Sequence, residues 1–316
     1  MNIKAFISSL LLFSAVSNYA FANSSTDTET STSEPITSEA AAEAFSAEEE
    51  QYMTWATNLW QSLNPQTGEI KLPNAVATVK VPENFYYLSP QDAEKVLVEV
   101  WGNPPGNLTL GMLFPADTTP FDQEAWAVTI QYEEDGYVSD EDADDIDYTD
   151  LLEQMQKDTA EGSKQRVEMG YEPIELIGWA TTPYYDAASN KMHWAKEIKF
   201  GDDPVHTLNY NIRVLGRKGV LVLNFIAGMH QKQLIETNLD DVIAMAEFDQ
   251  GAKYADFDPD IDQVAAYGLG ALVAGKVIAK TGFLAAAILF LKKFGIFIVI
   301  GIGALLKKMF SRKSAE

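Results

Sequence analysis

No cysteine occurs in the 316 residues, which excludes disulfides, thiolate metal sites, cysteine nucleophiles and a lipidated N-terminal cysteine. Histidine is almost as scarce. His193, His206 and His230 are the three present, and no two stand three or four positions apart, so a helical metal pair is absent from the pattern. Positive charge is also short: 23 Lys and Arg face 46 Asp and Glu, a net of −23. Between residues 23 and 263 the imbalance deepens to 14 basic against 45 acidic residues, a net of −31. Such a body is repelled by phosphate backbones and anionic lipid, which argues against nucleic acid as a partner. That body also lacks a G-x-S-x-G elbow, a P-loop and a G-x-G-x-x-G fingerprint. No cofactor and no particular reaction is therefore indicated.

The two ends differ from the body. Lys4 followed by the apolar run Ala5–Val16 and then Ala20-Phe21-Ala22 reads as a secretory signal over 1–22, with Asn23 as the new N-terminus. At the other end, 264–275, 281–291 and 294–306 are uncharged runs separated by lysines. None alone reaches the ~20 residues of a membrane span. Joined, 281–306 is long enough, with Lys292 and Lys293 near its middle reaching toward the headgroups. The expectation is one transmembrane helix within 281–306, preceded by an amphipathic Gly/Ala-rich helix at 264–280. The alternative is an interfacial helix over 264–291 followed by a short inserted segment. Lys307, Lys308, Arg312 and Lys313 then form a basic tail, 307–316, which favours a cytoplasmic C-terminus. Together these signals place the protein in the inner membrane, single-pass, with its body on the periplasmic side.

Residues 23–37 are Ser, Thr and acids with almost no apolar content, a linker unable to form a core. From Ser38 the spacing of Tyr52, Trp55, Ala56, Leu59 and Leu63 predicts a helix. Short strands are expected at 70–72, 75–81, 108–114 and 126–132. Ser89-Pro90 marks a helix start and Gly102 its end. Helix is expected again over 146–157, with a second stretch to Met169. Strands at 174–181, 191–200, 205–215 and 219–227 follow with only turns between them, an antiparallel meander, and a helix over 233–247 closes it. The fold class is α+β, an antiparallel sheet packed with helices, in a body 38–263 that divides into two subdomains near 170 if it divides at all.

Along this chain stand Trp101-Gly102-Asn103-Pro104-Pro105, Gly136-Tyr137-Val138 with Asp140-Glu141-Asp142-Ala143, Gly178-Trp179-Ala180 with Pro183, Trp194-Ala195-Lys196, Asn209-Tyr210 to Leu215-Gly216-Arg217, and Ala266-Tyr267-Gly268. In that order they resemble a bacterial family, domain of unknown function 2167, predicted to be membrane-anchored. The resemblance covers roughly 50–290 and implies an envelope protein. It carries over no catalytic residues. The closing meander and helix also resemble, in shape alone, the Mog1/PsbP-type antiparallel fold.

Two clusters are candidate sites. Asp140, Asp142 and Asp144 begin like a calcium loop, but Asp145 stands where glycine is needed and Leu151 where the bidentate glutamate belongs. Carboxylates that favour the start of the following helix are the simpler account. The second cluster follows from taking Arg217-Lys218 as a two-residue turn. Asn211 then lies opposite Asn224, on one face with Asn209 and Arg213, able to bind a carboxylate or sugar or to hold a buried polar network. Functionally, the expectation is a non-enzymatic binding or scaffold module docking to another envelope protein, through the small-residue pairs Gly270/Ala274 and Ala271/Gly275. An envelope hydrolase with a spatially assembled site is the alternative.

Overall fold

The computed structural model describes residues 38–275 except 74–75 and 107. Seven strands make one antiparallel sheet, in the order β3-β4-β5-β9-β8-β7-β6. They are β3 (Phe85–Leu88), β4 (Gly111–Pro115), β5 (Ala127–Glu133), β6 (Ile174–Asp186), β7 (Lys191–Phe200), β8 (Thr207–Leu215) and β9 (Val220–Gly228). A smaller sheet, β1-β2-β10, is built from β1 (Gly68–Lys71), β2 (Ala77–Val81) and β10 (Ala246–Phe248). The helices are α1 (Ser38–Ser62), α2 (Pro90–Lys95, continuing as a wide π-type turn over Val96–Val100), α3 (Tyr148–Glu168), α4 (Lys232–Met245) and α5 (Leu269–Ala274). The α+β antiparallel architecture is the one expected.

Local chemistry explains the boundaries. Ser89 caps α2 by accepting the Asp92 N–H at 3.3 Å, with Pro90 in the first helical position. The Asp147 carboxylate accepts from Thr149 N and Asp150 N and so starts α3. The meander keeps the expected register: Asn211 pairs with Asn224 across β8 and β9, and Gly216 N donates to Gly219 O to close their turn.

The structure differs from expectation at four points. The helix expected over 233–247 stops at Met245, and Ala246–Phe248 pair with β2 as β10. Helix α3 runs unbroken where two stretches were read. The interior Gly162 costs only about 1 kcal/mol, and Met155 and Ser163 are buried on either side of the expected break. Strand β3, absent from the sequence reading, is buried along its whole length, so no period-2 alternation marked it. Helix at the C-terminal end begins at Leu269, not 264. Tyr137 N donates to Gln263 O and Ala265 N to Tyr137 O, which holds that segment extended. The transmembrane helix expected within 281–306 lies outside the described residues, as do the signal, the 23–37 linker and the basic tail. No helix among the described residues is long and apolar enough to cross a membrane.

The large sheet is covered on both faces. Leu208, Tyr210 and Ile212 of β8 with Leu221, Leu223 and Phe225 of β9 pack against Ile235, Leu239 and Val242 of α4 and against the small sheet. The opposite face carries three separate apolar patches. One, at β3-β4, joins Leu88, Met112 and Phe114 to Val96 and Leu97. Another, at β6-β7, joins Leu176, Met192 and Trp194 to Met155 and Val273. The third closes one end, with Leu215 and Val220 under Val138, Leu269 and Leu272.

Candidate functional site

Between those three patches the sheet face is polar. Strand alternation puts Asn209, Asn211 and Arg213 on this side of β8, and pairing extends each into a row. The middle row reads Thr129, Asn224, Asn211, Trp194 across β5, β9, β8 and β7. On one side of it stand Ile226, Asn209 and Lys196, and on the other Val222, Arg213 and Met192. Thr129, Asn211 and Trp194 are buried, whereas Asn209, Arg213, Asn224 and Lys196 keep partial solvent contact. Apolar helical cover on two flanks and at one end makes this strip the floor of a recess.

The four residues expected to share a face therefore do so. Asn211 Nδ2 donates to Asn209 Oδ1 at 2.9 Å and to Asn209 O at 3.0 Å. The Arg213 guanidinium sits over the Trp194 indole, 4.8 Å from the ring centroid. Three buried polar atoms on this face have no hydrogen-bond partner among the described residues: Arg213 Nη1, Asn224 Oδ1 and Trp194 Nε1. Unsatisfied buried donors and acceptors are few in native proteins and each costs on the order of 1–3 kcal/mol.

Lys196 was quoted in the sequence as part of a motif but not assigned to the site. It belongs there, on the same face as Asn209. Burial pulls its ammonium down from 10.5 to about 8, with the Arg213 charge adding to the effect. Burial likewise pulls Arg213 down to about 10, opposed by the Glu133 carboxylate. Both remain cations at neutral pH. The missed signal was the β7–β8 register, which the turn at 201–206 did not reveal.

Asp140, Asp142 and Asp144 are not brought together as ligands. Asp142 accepts Leu269 N at 3.0 Å and Gly270 N at 3.4 Å, and Asp140 accepts the Tyr185 hydroxyl at 2.9 Å. No cluster of three or more metal-type ligands exists among the described residues. The histidines are dispersed. His193 stacks on Tyr184 on the opposite sheet face, His206 meets Glu197, and His230 meets Glu124. None of these rings has a serine or threonine hydroxyl as a hydrogen-bond partner among the described residues.

Residues 64–303 match the model of the family described as Protein of unknown function (DUF2167). The chain belongs to that family. Several residues that carried the resemblance, Trp194, Lys196 and Asn209 among them, stand on the strip or at its edge. No curated protein matches the chain. Among solved structures, the chain is similar to cyanobacterial PsbP (CyanoP) from Synechocystis sp. PCC 6803, at 13% identity and TM-score 0.33, covering 59% of this chain and 92% of that one. It is similar also to the Ran-binding protein Mog1p of Saccharomyces cerevisiae, at 11% identity and TM-score 0.28, covering 59% and 96%. Likeness at this level carries no functional argument.

Proposed function

We propose that this chain is a non-enzymatic binding module of the bacterial envelope, exported by its leader and held at the inner membrane by its apolar C-terminal end. Its body stands outside that membrane and its basic tail inside. The observation that supports binding is the polar recess, where Arg213 Nη1 and Asn224 Oδ1 lie buried without partners beside the half-buried Lys196. A purely structural network would satisfy its own donors and acceptors.

Of the small-residue pairs first expected to dock, Gly270, Ala271 and Ala274 stay half-buried and Gly275 is exposed. Leu269, Leu272 and Val273 of α5 are buried in the protein's own core, and Gly270 faces Ile146. The partly exposed edge at Ala271 and Gly275 keeps that route for a protein partner, and the recess adds a second place for binding.

Native mass spectrometry of the full chain extracted from membranes tests this. A discrete added mass is expected on the wild type and absent from the double variant Asn209→Leu/Asn224→Leu, with both melting cooperatively. A wild-type spectrum containing only the bare chain would remove the binding reading. Protease shaving of spheroplasts carrying tags at both ends tests the topology: the body should be cut while the C-terminal tag stays protected.

A further inference from the structure

We infer that the recess takes a small solute bearing a carboxylate or phosphate together with hydroxyl groups, gripped between Arg213 and Lys196. This rests on the binding reading above and names the ligand chemistry.

Four observations converge. Two cations enter one recess from neighbouring strands, and neither has an ion-pair partner within contact distance among the described residues; Arg213 lies over the Trp194 ring, with Glu133 and Tyr267 as its longer-range electrostatic neighbours. Stacking fixes the plane of the guanidinium and leaves Nη1 free to donate, the arrangement that suits a planar or tetrahedral oxyanion. Both positive charges are partly desolvated, with the Glu133 carboxylate acting on Arg213 only from beyond contact distance, so an arriving anion recovers interaction energy that the empty recess forgoes. One strand over, on β9, Asn224 Oδ1 offers an unused acceptor, which suits a ligand hydroxyl.

Size and field favour a small molecule. Lys196 pairs with Asn209, four positions from Arg213, which is roughly 13 Å along the strand. That spacing, with the Trp194 indole in the row between the two positions, is the reach of a small solute and not of a polypeptide segment. An acidic polypeptide would meet the −31 body over a wide area, whereas one or two charges enter a cationic recess with little of that repulsion.

Calorimetric titration of the full chain in detergent with glucuronate, glucose 1-phosphate and glucose tests the inference. Glucuronate, glucose 1-phosphate or both should bind, and neutral glucose should not. Whichever anion binds identifies the group recognised. Lys196→Met should weaken binding about ten-fold or more while the protein stays folded. Arg213→Lys, which keeps the charge and loses the fork, should also weaken it. Absence of binding by both anions, equal binding of glucose, or full affinity in Lys196→Met would overturn the inference. An added mass in native spectra that survives Lys196→Met would overturn this ligand assignment and leave the binding module standing.

Discussion

The Asp142 carboxylate accepts the backbone N–H of Leu269 at 3.0 Å across 127 positions of sequence. It thereby supplies the start of α5 with the partner that its first free N–H groups need. Asp142, out of the acidic run 133–150, thus works as a clamp on the last described helix. Gly268 permits the contact, since a Cβ there would stand 2.3 Å from the Asp142 carboxylate.

Asp142→Ala should cost about 1–3 kcal/mol, because it strands buried N–H groups. Calcium should leave the melting temperature of the wild type unchanged. Thermal denaturation with and without calcium checks both, and a calcium-dependent rise would restore the cation-site reading.

Stability should rise with pH on the alkaline side through Lys196. Its folded value is about 8 against 10.5 for the free side chain. Below 8 both states are protonated and the desolvation cost is fully present. Between 8 and 10.5 only the unfolded chain holds the proton, so that cost is progressively released, by roughly 3 kcal/mol. Chemical denaturation across this range should show the rise in the wild type and lose it in Lys196→Met.

On the acid side the group to watch is His193, buried against Tyr184 on the face toward α4. Burial lowers it from 6.5 to about 4, helped by Lys191 and opposed by Asp186 and Asp240. Between those values only the unfolded chain binds the proton, so stability present above 6.5 falls as pH drops toward 4. The loss is roughly 3 kcal/mol. His193→Phe keeps the stack and removes the titration. Its acid limb should therefore be flatter than that of the wild type.

Gly111 opens β4 at φ +132°, where a Cβ would stand 2.2 Å from the Tyr87 ring and 2.5 Å from Leu88 O. Gly111→Ala combines backbone strain with overlap against neighbours that cannot withdraw. A loss of about 3 kcal/mol or more is expected, read as a lowered denaturant midpoint. A midpoint equal to that of the wild type would show that β3 and β4 are not packed as described.

Much of the meander was legible because its signals are local. The alternation of Thr207–Leu215 and the tight turn Gly216–Gly219 set the β8–β9 register, and with it the pairing of Asn211 with Asn224. Where the signal was not local, legibility ended. Residues 201–206 connect β7 to β8 without a defined turn pattern, so Trp194 and Lys196 were not placed beside Arg213. The D-x-D-x-D spacing suggested a cation loop because no local feature shows that Leu269 and Gly270 will arrive to use the same oxygens.

By itself, then, the sequence determined the α+β antiparallel class, the strongly acidic body and the polar face of β8, since charge, period-2 alternation and turn chemistry act between near neighbours. Only the tertiary structure decided that this face lies at the bottom of a recess flanked by α2, α3 and α5, that Lys196 joins Arg213 there, and that Asp142 is spent on capping. Those outcomes depend on which distant segments pack together, and packing free energy is shared among residues far apart in the chain, so no single window of sequence contains it.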